Sequence, residues 1–185
     1  MLWPMSPPLG KDGTVFIVID MQDTLLKKCH DWETVTGRCA VFLKFSHVVD
    51  IPIVATEQYP KGLGRTNLEI VEAAGTDFIP KTTFDCFGEP AFVRALEAHG
   101  PETLVLAGIE THVCVLQTAL DALDRGYQVH VLADAVSSRA SWMVENGLAR
   151  MAAAGVVVSN TESTMFEIVG DSADPLFKRM LFLVK

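Results

Sequence analysis

The chain has 185 residues, 49% of them hydrophobic and 21% charged, with a formal net charge of −8. That length and balance predict one globular domain over 1–185 with a sizeable core and no disordered tail. The acidic excess speaks against a nucleic-acid partner, because phosphate backbones need a concentrated basic surface and the nearest thing to a basic cluster is Lys27 with Lys28 and, separately, Lys61 with Arg65.

Residues 1–13 read as an N-terminal extension with neither the basic start nor the apolar core of a secretory signal. No apolar run reaches the roughly 20 residues of a membrane span, so no membrane association is expected. The expected location is cytoplasmic, with a mitochondrial one as the alternative. The four cysteines form no CxxC pair and the five histidines never fall at i, i+2 or i, i+4, so neither a disulfide framework nor a metal motif is expected.

Apolar runs alternate with helical patterns along the whole chain. Residues 14–20 (TVFIVID) form a continuous apolar run, the pattern of a strand covered on both faces. A helix is predicted over 32–49, a strand over 51–55, a short helix over 68–74 and a brief strand over 77–80. The helix predicted over 90–99 starts at Pro90 and is ended by Gly100 and Pro101. Then follow a strand over 103–107, a helix over 114–124 stopped by Gly126, a strand over 128–133, a helix over 141–154 closed by Gly155 and a strand over 156–159. Helical segments over 162–169 and 175–184 complete the chain, 170–185 being read as a C-terminal helix. Six strands separated by helices predict an α/β fold, a three-layer α/β/α arrangement with a six-stranded, mostly parallel, doubly wound sheet of Rossmann-like type.

In such a fold ligands bind at the carboxyl ends of the strands, near the switch point. Asp20, Thr56 to Tyr59, Lys81, Gly108 to Cys114 and Asp134 to Arg139 are predicted to lie there. Cys114 is predicted to open a helix, where unpaired N–H groups favour a thiolate. Asp20 reads as a general base or as a turn residue, with Asp23 the local cap, and Lys81 as a cation beside the thiol or a surface lysine. His112 is a weaker candidate base than Asp20.

These residues resemble the isochorismatase-like cysteine hydrolases, most closely the eukaryotic isochorismatase domain-containing subgroup. Ile19-Asp20-Met21-Gln22 matches the family's D-M-Q junction, Pro80-Lys81 its lysine, and Gly108, Thr111 and Cys114 its G-x-x-T-x-x-C pattern. The loop TEQYPKGLGRT adds to the likeness. The resemblance implies a catalytic triad of Asp20, Lys81 and Cys114, a cis peptide at Ile109–Glu110, and an oxyanion hole from the backbone N–H groups of Glu110 and Cys114. Gln22, Tyr59 and Thr111 are the candidates for substrate binding. It further implies thiolate attack on a small amide or related carbonyl compound through an acyl-thioester, no cofactor, and a homo-oligomer.

Nicotinamidases of this superfamily carry a D-x-H metal site after the second strand. Here that region is Thr56-Glu57-Gln58-Tyr59-Pro60, and no metal is expected. A non-catalytic binding or scaffold protein is the alternative function, and a thiol sensor pairing Cys114 with Cys86 a third. Four local questions stay open: whether Glu110 faces the pocket or orders the loop, whether Cys86 lies near the crevice, whether Lys61 and Arg65 form a lid, and whether 176–184 is an interface or packs on its own domain.

Overall fold

The structure, a computed structural model, describes residues 9–184. The predicted N-terminal extension lies outside the described residues as far as position 8, as does Lys185 at the other end. Leu9 is buried, and its N–H donates to Glu167 Oε1 at 3.0 Å.

The strands are β1 (Thr14–Ile19), β2 (Ile53–Gln58), β3 (Phe78–Lys81), β4 (Thr103–Ile109), β5 (Gln128–Ser137) and β6 (Val157–Ser159). They form one all-parallel sheet in the order β3-β2-β1-β4-β5-β6, so the expected doubly wound α/β fold is the observed one. The helices are α1 (Asp23–Leu26), α2 (Trp32–Val49), α3 (Pro60–Leu63), α4 (Leu68–Ala74), α5 (Pro90–Glu97), α6 (Leu116–Asp124), α7 (Ser141–Ala154), α8 (Thr161–Val169) and α9 (Pro175–Val184). A 3₁₀ turn at Cys86–Gly88 and a π-helical turn at Thr111–Val115 complete the elements. Several helix starts are written locally. Asn67 and Asn160 cap α4 and α8 by accepting from Glu69 N–H and Ser163 N–H, and Pro90 opens α5 where no donor is needed.

β1 is apolar throughout because both of its faces are covered. Phe16 and Val18 point toward Phe42, Leu43, Phe45 and Met165 of α2 and α8, whereas Val15, Ile17 and Ile19 point toward Phe92, Leu96 and Val115 on the α5–α6 side. Each such side chain, fully buried, contributes about 1.5–3 kcal/mol. The order reverses between β1 and β4, which opens the switch-point crevice above their carboxyl ends.

Four strands outrun their predicted ends: β3 by one residue, β4 by two, β2 by three and β5 by four. β5 continues past Ala133 to Ser137 through a register shift opposite Leu106 and Gly108, and Asp134 is tolerated there because it accepts from Thr161 N–H at 2.8 Å and Thr161 Oγ1 at 2.9 Å. β2 extends through Thr56, Glu57 and Gln58, whose backbone groups pair with β1 and β3. α9 packs on α2 and α8 and buries Met180, while Phe182 on its other face is 85% exposed. Among the described residues no helix is long and apolar enough to cross a membrane.

Candidate active site

Asp20 leaves β1 with φ 55°, in the left-handed region that aspartate tolerates better than most residues, and its N–H donates to Thr56 O at 3.1 Å. Gly108 of β4 lies against Ile19, close enough that no Cβ would fit. Strand β3 ends at Lys81, and the π-helical turn after β4 carries Cys114. Three distant stretches of sequence thereby meet at the crevice.

Lys81 Nζ lies 2.6 Å from Asp20 Oδ2, and both side chains are 0% exposed. Nζ also donates to Gln58 Oε1 at 2.6 Å, and reaches Thr83 O at 3.2 Å and Phe84 O at 3.3 Å. The second carboxylate oxygen, Asp20 Oδ1, accepts from Thr56 Oγ1 at 2.7 Å. A buried ion pair survives only when its remaining hydrogen-bonding capacity is filled in this way.

Burial alone would pull the Lys81 ammonium down, but the Asp20 carboxylate leads the groups that hold it above its ordinary value. The Cys114 thiol, 6% exposed, is pushed up first by burial and then by the charge of Asp20, with Lys81 opposing. The predicted standing thiolate is therefore corrected: Cys114 sits inside a π-helical turn rather than at a helix start, and its neutral form is favoured beside a carboxylate.

Cys86 is buried at the edge of this group. Its N–H donates to Thr118 Oγ1, its sulfur lies 4.0 Å from Thr56 Oγ1, and burial pushes its thiol up to about 12. Glu110 directs its carboxylate to Arg139 Nε at 3.2 Å and His112 Nδ1 at 3.5 Å, which ties the turn that carries Cys114 to the segment after β5. His112 Nδ1 is also 2.9 Å from Ser138 Oγ. The Ile109–Glu110 peptide is cis.

The three candidate substrate residues differ in placement. Gln22 is fully buried and its amide is committed to backbone: Nε2 donates to Gln58 O and Gly64 O, and Oε1 accepts Gln58 N–H. Those bonds hold the amide against the main chain. Tyr59 is half-exposed and lines a hollow of about 230 Å³ with Pro60, Lys61, Pro80, Lys81, Thr82 and Glu89. Thr111 is buried, and its hydroxyl has no partner among the described residues. A separate hollow of about 260 Å³ between the start of α2, β5 and α7 contains none of Asp20, Lys81 or Cys114.

In the stretch that holds metal in nicotinamidases, Glu57 accepts from Thr66 N–H, Thr66 Oγ1 and Arg65 Nη1, which ties down the loop bearing Lys61 and Arg65. Gln58 turns to Lys81 instead. Among the described residues no three His, Cys, Asp or Glu side chains are grouped as metal ligands.

The family described as Isochorismatase domain matches residues 14–163. The chain belongs to the isochorismatase family. Isochorismatase domain-containing protein 1 of Salmo salar is 37% identical over 93% of this chain, which spans 61% of that relative's length. MAR1 ribonuclease from Caenorhabditis elegans has the same fold with a TM-score of 0.90 and 32% identity, covering 96% of this chain and 92% of that one. The YcaC gene product of Escherichia coli, described as an octameric hydrolase of unknown specificity, shares the fold at TM-score 0.90 and 21% identity, with 97% and 92% covered.

The sequence reading set Thr56 to Tyr59 at the crevice but assigned no role to Thr56 or Gln58. Their signal was available: two polar residues at alternate positions at the end of an otherwise apolar strand point to the same face.

Proposed function

We propose that this isochorismatase-family protein is a cysteine hydrolase of small amides or related carbonyl compounds, with Cys114 as nucleophile, Asp20 as general base and acid, and Lys81 as electrostatic support. The observation that carries the reading is the buried Asp20–Lys81 ion pair, 2.6 Å apart, whose two charges act in opposite directions on the Cys114 thiol.

As Cys114 Sγ forms a bond to the carbonyl carbon, its proton passes to Asp20. Because burial and Asp20 both hold the thiol neutral, deprotonation accompanies attack instead of preceding it. The oxyanion is received by the backbone N–H groups of Glu110 and Cys114. Collapse breaks the C–N bond, and Asp20 returns the proton to the departing amine. Water then adds to the acyl-thioester, giving a proton to Asp20, and the C–S bond breaks as the thiol recovers it. Lys81 keeps Asp20 in place and balances charge throughout.

The seclusion of Cys114 favours a small acyl group, and Thr111 Oγ1 is a buried hydroxyl available to one. Assembly as a homo-oligomer belongs to the same proposal, supported by the family resemblance and by the octameric state described for YcaC. Phosphodiester hydrolysis, raised by the name of the Caenorhabditis elegans neighbour, is disfavoured by the net charge of −8.

The test is ammonia release from a panel of small primary amides, with single-stranded RNA assayed alongside and intact mass used to trap an acyl-enzyme. Turnover and an adduct on Cys114, both lost in Cys114→Ser, are expected. No turnover of any amide with the folded protein would favour the binding-protein alternative, and cleavage of RNA that survives Cys114→Ser would overturn the assigned chemistry.

A further inference from the structure

We propose that Gln22 and Gln58 form a two-residue relay that positions the Lys81 ammonium, so that both are positioning residues of the site. The inference deepens the Asp20–Lys81–Cys114 reading and rests on it.

An ammonium has three hydrogens to place. Asp20 Oδ2 and Gln58 Oε1 each take one at 2.6 Å, and the carbonyls of Thr83 and Phe84, at 3.2 Å and 3.3 Å, share the third. None is left for a ligand. Lys81 therefore acts through its charge, and its position is set by these acceptors alone. Of the four, only Asp20 and Gln58 are side chains, and they bind at the same short distance from the carboxyl ends of two neighbouring strands, β1 and β2.

The orientation of Gln58 is itself fixed. Its Nε2 donates to Thr82 O at 2.8 Å, so turning the amide over would set an NH₂ group against the ammonium and a carbonyl oxygen against a carbonyl oxygen. Its main chain is gripped from both sides by one side chain: Gln22 Oε1 accepts Gln58 N–H at 2.8 Å, and Gln22 Nε2 donates to Gln58 O at 2.9 Å. Gln22 stands two residues after Asp20. A single short segment thus carries the carboxylate that binds Lys81 and the clamp on the other side chain that binds it. The arrangement matters because β3, which ends at Lys81, lies at the edge of the sheet and pairs only with β2. The next three residues, Thr82 to Phe84, are exposed. Without the relay, the lysine that closes an edge strand hangs from one carboxylate and two carbonyls of an exposed loop.

The test reads the rate of Cys114 alkylation by iodoacetamide at pH 8.5, by peptide mass spectrometry, in wild type, Lys81→Met, Gln58→Met and the double variant. Because Lys81 lowers the Cys114 thiol, its removal is expected to slow Cys114 about tenfold, the change that one pKa unit produces. Gln58→Met is expected to slow it at least about threefold, and the double variant to match Lys81→Met alone. An unchanged rate in Gln58→Met alongside a slowed Lys81→Met overturns the relay and leaves the triad standing. Effects that multiply in the double variant also overturn it, since Gln58 then acts independently of Lys81. A Lys81→Met rate equal to wild type overturns the underlying reading and the relay with it.

A second measurement needs no change at Lys81. In ¹⁵N-lysine-labelled protein the bonded Lys81 ammonium is expected to give a resonance protected from solvent exchange. It should be lost in Gln58→Met and in Gln22→Met but retained in Gln58→Glu, which keeps the acceptor. Its persistence in folded Gln58→Met overturns the relay.

Discussion

Replacing Gly108 by alanine puts a methyl group where the structure has no space for one. Gly108 has φ +122° and pairs with Ile19, and a Cβ there would stand 2.6 Å from Ile19 N and 2.8 Å from Ile19 C, with Ile19 O closer still. All three are backbone atoms in the middle of a parallel sheet, so no rotamer change relieves the clash. Overpacking of this kind costs about 1–3 kcal/mol, and placing a side chain at positive φ adds about 1–2 kcal/mol. The expected loss is about 4 kcal/mol, a large part of the 5–15 kcal/mol typical of a folded domain. Urea denaturation followed by circular dichroism measures it. Gly37→Ala is the matched control, because Gly37 lies in α2 with nothing within 4 Å of the added atom, and there the same substitution should gain about 0.5–1 kcal/mol. A loss below about 1 kcal/mol in Gly108→Ala would refute the reasoning, since β1 and β4 would then have room to separate.

Lys81→Met leaves Asp20 as an uncompensated buried charge, and should lower stability at pH 8 by about 3–5 kcal/mol. The folded pKa of Lys81 is raised, so its contribution is fully present below about pH 10.4 and disappears as pH rises through the folded value. The alkaline fall in the wild-type urea midpoint should accordingly be shallower in the variant, where the raised thiols of Cys29, Cys39 and Cys86 still contribute to it, and equal midpoints at pH 8 would contradict the account. Asp20→Asn should accelerate Cys114 alkylation, because Asp20 raises the thiol, while abolishing amide turnover. A parallel fall in both rates would show that Asp20 acts on Cys114 in some other way. Asp85 is raised to about 6 by burial, with the Phe87 N–H opposing and Asp121 adding to it, so folding favours its protonated form. That contribution is present below about pH 3.8 and lost as pH rises through about 6. Asp85→Asn, which keeps the cap on Phe87 N–H, should melt above wild type at pH 7.5 and show no such advantage at pH 3.5.

The strand cores were readable because a parallel sheet covered on both faces leaves an unbroken apolar run, as in residues 14–19. The strand ends were harder to read, because at their carboxyl ends the same strands turn polar to serve the crevice. Thr56, Glu57, Gln58 and Asp134 look like loop residues until their partners are known, and those partners lie on β1, on the loop after α3, at Lys81 and on α8. Asp20, Lys81 and Cys114 were legible as points on one rim, by strand topology and family pattern together. The state of the thiol was not. A cysteine near a helix start suggests a thiolate from sequence alone, whereas its real surroundings combine burial with an adjoining carboxylate, and neither is local in the chain. Gln22 shows the same limit: its motif marks a site, but only distances reveal that its amide is spent on the backbone of Gln58.

The strand order also sets a schedule for assembly. β1 is made first yet lies in the centre of the sheet, where Thr14 pairs with Thr103 and Phe16 with Ile53. A nascent chain that has not reached β4 therefore holds an almost wholly apolar strand with one edge unpaired, the kind of edge that recruits other chains. Asp20, at the end of that strand, does not have both Lys81 and Cys114 to meet until the ribosome has passed β4 and the turn after it. The candidate site is a late product of folding, and conditions that stall synthesis between β3 and β4 should favour aggregates over partly active fragments.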